Sequence, residues 1–333
     1  MDFSNKRILI MNCFQGGAEC ITREYSKIYS KNNKVFYCDV YKLLTFIPVK
    51  YRFIVSKVIT PFISLFFQLV LFPDIVLMNQ NLIIPLNLKI GWKGYIFLHH
   101  PYSKDVKNRK KTLVDKLLLI TEELSLRFCH DVITGSEFSK VAIEKEYIHI
   151  NPRVSILMYP ISNVFSMAKK HNKNKTKDIM LPNIFRTDRK GGTFIIDVLE
   201  SLKDDLNKSS SNLIITGQIC NTQEVNFKKL LSIGGSKVLY YEDLSLETLA
   251  EEYARNIVLC PALLEGYGLV PIEVDSAGGQ CISTPMPSLG YIKNIEEYPN
   301  ENIRYNDNIY VIGLNEENWK NKIKELCFND RKV

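Results

Sequence analysis

Short runs rich in Ile, Val and Leu recur along this chain, separated by stretches in which apolar residues return every three or four positions. The runs predict strands at residues 7–12, 34–39, 74–78, 94–98, 131–134 and 154–157. A second series follows at 177–182, 212–216, 237–241, 256–260 and 280–283. Strands that are apolar throughout, alternating with helices, predict an α/β protein whose parallel sheets are covered on both faces. Residues 166–177, Lys- and Asn-rich and without apolar periodicity, read as a linker between two doubly wound domains, 1–165 and 177–313. Ligands of such domains sit at the carboxyl ends of the strands, which here predicts a cleft. Residues 314–327 read as a helix, with Trp319, Ile323 and Leu326 at helical spacing.

One run differs from the strands. Residues 58–72 are apolar but fall short of the ~20 needed to span a bilayer, and Pro61 and Gln68 interrupt them. They predict a buried or interfacial helix. Lys50, Arg52 and Lys57 precede it, a pattern that suits peripheral insertion into a membrane.

Composition adds a charge asymmetry. Of 333 residues, 46% are apolar, enough for two cores, and the net charge is +7. Residues 1–175 hold 26 Lys and Arg against 13 Asp and Glu, a net +13, and the remaining 17 basic and 23 acidic residues give −6. The densest cluster is Lys104, Lys107, Arg109, Lys110 and Lys111. No nucleic-acid-binding pattern surrounds it, so an anionic lipid surface is the expected partner of the basic half, and nucleic acid is not. Eight cysteines without a C-x-x-C pair predict buried, reduced thiols. The N-terminus lacks a long apolar core and a small-residue cleavage site. The expectation is a cytoplasmic protein, peripheral on the inner face of a membrane.

The chemistry concentrates at residues 261–273, PALLEGYGLVPIE, followed by Ala277-Gly278-Gly279. Two carboxylates, Glu265 and Glu273, bracket a glycine-rich turn between a strand and a helix. Such a turn presents backbone N–H groups and a helix N-terminus to an anion. The carboxylates suit hydroxyl groups, which donate to them. Phosphate beside several hydroxyls describes a nucleotide sugar.

This segment resembles the signature of the retaining family 4 glycosyltransferases, which have the GT-B fold and carry an E-x7-E motif. The chain departs from the usual form at Tyr267, at Val274-Asp275-Ser276 and at Gln280. The resemblance implies that Glu265 contacts the donor sugar and Glu273 the ribose, with Gly266, Tyr267, Gly268 and Leu269 lining the nucleotide. It further implies that the last helix, 314–330, packs back on the first domain. Gly16 and Gly17, in G-G-A-E after the first strand, resemble the family's glycine pair at the donor. His99 takes the place of the strand-end histidine beside the transferred sugar, with His100 as the alternative. Arg186 and Lys190 match the pair that neutralises the diphosphate, at a slightly shorter spacing that leaves Arg189 as a substitute. Ser136, in S-E-F-S, is positioned to cap a helix.

No D-x-D occurs, so basic side chains and helix N-termini are expected to hold the diphosphate, with no metal and no other cofactor. The resemblance implies transfer with retention from a UDP- or GDP-sugar onto a glycan, lipid-linked or at the cell surface. Two alternatives remain open: a sugar-phosphate synthase with a soluble acceptor, and a catalytically degenerate sugar-nucleotide-binding partner subunit.

Overall fold

The computed structural model describes residues 3–12, 17–79, 93–99, 101, 112–171, 175–293 and 295–328. The chain divides into two units, Met1–Pro160 and Ile161–Val333.

The first unit is built on six parallel strands: β1 (Arg7–Asn12), β2 (Lys34–Asp39), β3 (Ile75–Asn79), β4 (Lys93–Phe97), β5 (Asp131–Thr134) and β6 (Val154–Ile156). Their order is β2-β1-β3-β4-β5-β6, so the winding reverses between β1 and β3. Around the sheet lie α1 (Gly17–Tyr29), α2 (Val40–Leu43), α3 (Val49–Leu71), α4 (Leu113–Phe128) and α5 (Glu137–Glu146). Leu9, Met11, Val76 and Met78 meet Ile59, Ile63 and Phe67 of α3 and Leu118 of α4. The helix starts follow their caps. The Asp39 carboxylate accepts from the Lys42 N–H, and Thr112 and Asp115 form a reciprocal capping box. Ser136 caps α5, as its position suggested.

In the second unit the strands are β7 (Ile179–Pro182), β8 (Leu213–Thr216), β9 (Val238–Tyr241), β10 (Ile257–Cys260), β11 (Gln280–Ser283), β12 (Asn302–Arg304) and β13 (Ile309–Ile312). The order is β12-β13-β11-β10-β7-β8-β9, and β12 alone is antiparallel. Each central strand feeds two cores. Leu181, Ile215 and Leu259 point to one side, and Met180, Ile214 and Val258 to the other. The first side is covered by α7 (Gly192–Ser201), α9 (Glu224–Gly234) and α12 (Glu316–Ile323), with the short α8 (Lys203–Lys208) beside α7. The second is covered by α6 (Asn163–His171), α10 (Leu246–Arg255) and α11 (Leu269–Ala277).

Three stretches differ from the elements read in the sequence. The first half of the stretch read as a linker, residues 166–171, is helical, because Phe165 and Ala168 of α6 bury in the second unit's core and Phe165 stacks on Tyr253. The segment read as one helix at 314–327 forms α12 followed by one π-turn, Lys324–Phe328, and both contribute side chains to the second unit's core. Trp319 is fully buried there, its ring against Phe194 and its indole N–H donating to the Gly313 carbonyl at 2.9 Å. The strands β12 and β13 were not anticipated, since Ile309–Ile312 is short and sits among Asn and Asp residues.

Cys260 and Cys281, on neighbouring strands, are buried free thiols with sulfurs 3.8 Å apart. Among the described residues, no helix is long and apolar enough to cross a membrane.

Candidate functional site

In an open parallel sheet, the loops that leave the carboxyl ends of two strands at a winding reversal diverge and leave room for a ligand. In the second unit that reversal lies between β7 and β10. The loop after β7 carries Arg186 and Lys190, and the loop after β10 carries Glu265 and the glycines.

The two loops are joined through their backbones. The Arg189 carbonyl accepts N–H groups of Leu263 and Leu264 at 2.8 and 3.3 Å. Gly191 has φ +78°, and a Cβ built on it would lie 1.9 Å from the Pro261 carbonyl oxygen. Only glycine allows both the left-handed turn and the approach. From the other side, the Thr284 hydroxyl donates to the Ala262 carbonyl at 2.7 Å. The Ser288 hydroxyl donates to the Gly268 carbonyl at 2.6 Å. Gly268 has φ +87° and starts α11 against the side chain of Met286.

On this frame the Lys190 ammonium bonds the Glu265 carboxylate, both half-buried. Glu273 lies on the first turns of α11. Part of its surface stays open, yet burial pushes its carboxyl up to about 7, against the opposing pull of Lys190. One ammonium therefore serves two carboxylates. Neither α7 nor α11 has a side-chain cap, so the N–H groups of both helix starts are left for an outside acceptor. Arg186 is exposed, and the Thr187 hydroxyl is buried without a hydrogen-bond partner in the same turn. Asp188 faces away, accepting from Thr222 and Gln223 at 3.0 and 2.5 Å. Gly266 and Tyr267 are buried, and Leu269 opens α11.

The first unit's reversal, between β1 and β3, carries a different set. The Asn79 amide donates to the Asn12 side chain and to the Ala18 carbonyl, both at 2.8 Å. Its oxygen then faces His99 Nε2 at 3.0 Å, which fixes that nitrogen as the donor. His99 Nδ1 meets the Tyr159 hydroxyl at 2.5 Å. The Ser139 hydroxyl donates to the His99 carbonyl at 2.8 Å. His99 is thus held on both nitrogens, a network of which only the histidine was anticipated. Asn12 and Asn79 each end a strand directly after four apolar residues, and that position was the available signal. Gly17 opens α1. Gly16, His100 and the cluster from Lys104 to Lys111 lie outside the described residues.

The structure thus brings Lys190, Glu265 and Glu273 together, with Arg186 in the same turn as Lys190. It sets His99 in the first unit. The second-unit arrangement can neutralise a diphosphate with cations and backbone N–H groups, while carboxylates one turn away accept from hydroxyls.

No protein-family model matches the chain, and no curated protein matches it. Solved structures do. The chain is similar to sucrose-phosphate synthase from Thermosynechococcus elongatus, with a TM-score of 0.66 at 14% identity over 96% of this chain and 89% of that one. It is similar to HepE of Anabaena in complex with UDP and glucose, with a TM-score of 0.62 at 15% identity over 96% and 89%. It is also similar to WaaG, a glycosyltransferase involved in lipopolysaccharide biosynthesis, with a TM-score of 0.60 at 14% identity over 97% and 90%. The likeness shows the fold, an α/β chain of the GT-B class, and it extends over both units.

Proposed function

We propose that the protein is a retaining glycosyltransferase of the family 4 type, which moves a sugar from a UDP- or GDP-sugar onto a glycan acceptor carried on a lipid. The observation that carries this reading is the meeting of Lys190, Glu265 and Glu273 where the β7 and β10 loops leave the sheet. UDP and glucose are bound by HepE, a chain of the same fold, which supports a nucleotide sugar as the ligand class.

Lys190 is neutralised by Glu265. A donor diphosphate offers that ammonium more negative charge than one carboxylate, and Arg186 and the α7 and α11 N–H groups add to the pull. Lys190 then turns to the phosphates. Glu265, released, accepts from hydroxyls of the sugar, and Glu273 accepts from the ribose. As the bond to the sugar breaks, charge builds on the departing diphosphate, and these fixed donors stabilise it. The donors are side chains and backbone, and the proposal assigns no role to a metal. Gly16, Gly17 and His99 keep the sugar-side roles that the resemblance implies, with His99 exchanging one of its present partners for a sugar hydroxyl. The acceptor hydroxyl attacks from the face the diphosphate leaves and passes its proton to the departing phosphate oxygen, so the sugar–oxygen bond to the diphosphate breaks, the bond to the acceptor forms, and the configuration is retained.

A sugar-phosphate acceptor is the second reading, favoured by the excess of 26 basic over 13 acidic residues in the first 175 and by the likeness to sucrose-phosphate synthase. The degenerate-partner alternative is disfavoured by the presence of both carboxylates and the lysine in one place.

The test is nucleoside diphosphate release from UDP- and GDP-sugars, with the released or transferred sugar read by proton NMR. Release from one base class, with the α-anomer appearing first from an α-linked donor, is the expected result. The β-anomer appearing first would contradict retention, and no release with any donor or acceptor would favour a binding role.

A further inference from the structure

Helix α3 (Val49–Leu71) is turned against the usual rule for a surface helix. Its inward row is polar: Ser56, Thr60 and Ser64 are fully buried and Gln68 is 3% exposed. These groups bond within the helix, Thr60 to the Ser56 carbonyl at 2.5 Å and the Gln68 amide to the Ser64 hydroxyl at 3.0 Å. Flanking them, Ile59, Ile63 and Phe67 pack on the sheet. The outward arc carries Phe62 at 71% exposure, Phe66 at 60%, Val70 at 58% and Leu69 at 48%, with Phe72 at the C-cap half exposed. At 100° per residue the four helical positions fall within an arc of about 100°. A helix facing water places its polar residues there instead.

We infer that this outward arc lies in the interface of an anionic lipid bilayer, with α3 parallel to the surface. Two observations choose lipid over a protein partner. The arc holds hydrocarbon side chains only, whereas the anchors of protein interfaces are Tyr, Trp and Arg, which carry polar groups. The surrounding sequence has one sign of charge: residues 40–104 contain seven Lys and Arg against a single acid, Asp74. α3 itself has Lys50, Arg52 and Lys57 and no carboxylate. A shallow apolar face in a basic region is the pattern that anionic headgroups retain. The inference deepens the reading of a lipid-carried acceptor and takes its purpose from it. The surface is measurable without donor or turnover, so either reading can fail alone.

The experiment is co-sedimentation of the full chain with vesicles of phosphatidylcholine, with and without phosphatidylglycerol. The expected result is binding to the anionic vesicles, weaker binding to neutral ones, and a loss of about tenfold or more in partitioning for Phe62→Ser/Phe66→Ser. Because both side chains face solvent, the variant should fold as the wild type does by circular dichroism. A Phe66→Trp variant should shift its emission to the blue on the same vesicles and be quenched by brominated lipid. Equal vesicle binding by wild type and double variant, or no binding by the wild type, would overturn the inference. So would a double variant that turns a wild-type dimer into a monomer in sedimentation velocity without changing vesicle affinity, since the arc would then face a second copy.

Discussion

Replacing Glu273 by Gln should make the protein more stable at high pH and a poorer nucleotide binder. Burial moves this carboxyl from its ordinary 4.5 to about 7 in the folded chain, with Lys190 opposing the rise. The folded state therefore holds a proton that the unfolded chain gives up between those two values. From this group, stability is unaffected below about pH 4.5, falls as pH rises towards 7, and stays lowered above it. At about 1.4 kcal/mol per tenfold change in proton affinity, the ionised side chain costs up to about 3 kcal/mol at pH 8. Gln keeps the shape and cannot ionise, so the variant should exceed the wild type by up to about 3 kcal/mol at pH 8 and match it near pH 4. Urea denaturation of both proteins at a series of pH values measures the difference. The variant should bind UDP more weakly, since a stabilising change that costs affinity marks a residue held for function. A constant offset across the pH range, or a variant less stable at pH 8, would refute the reasoning.

Two further substitutions test the frame around the sites. Gly191→Ala places a Cβ 1.9 Å from the Pro261 oxygen at φ +78°, so it should cost at least about 3 kcal/mol in urea denaturation and weaken UDP binding through the displaced Lys190. An unchanged midpoint would show that the two loops are not locked as described. Tyr159→Phe removes the hydrogen-bond partner of His99 Nδ1 and should cost about 1 kcal/mol. Long-range proton–nitrogen spectra of the wild type should show the Nε2–H tautomer of His99 at neutral pH, and an Nδ1–H signal would overturn the network.

Much of the fold was legible because parallel strands buried on both faces announce themselves as apolar runs. Ile8 to Met11 and Ile257 to Cys260 are such runs, with ends within a residue or two of expectation. Failure followed where local pattern and packing part company. Ile309–Ile312 is as buried as any strand but short, and its partner Asn302–Arg304 is exposed at the sheet edge. The helix at Asn163–His171 is anchored by Phe165, one residue before the polar stretch that was read by itself. The reversal of α3 depends on small hydroxyl residues that allow close contact with the sheet, and hydropathy alone ranks them as the outward face. At the second-unit site the residue types were legible, but the Lys190–Glu265 bond was not, because it joins positions from separate loops. The unpartnered Thr187 hydroxyl was equally silent.

If Lys190, Glu265 and Glu273 hold a nucleoside diphosphate, calorimetric titration of UDP and of GDP into wild type and Lys190→Met will register the loss of the lysine. One of the two nucleotides should bind the wild type, and its dissociation constant should rise at least about tenfold in the variant, a loss of about 1.4 kcal/mol or more. Equal affinity for wild type and variant, or no binding of either nucleotide to the wild type, would contradict it.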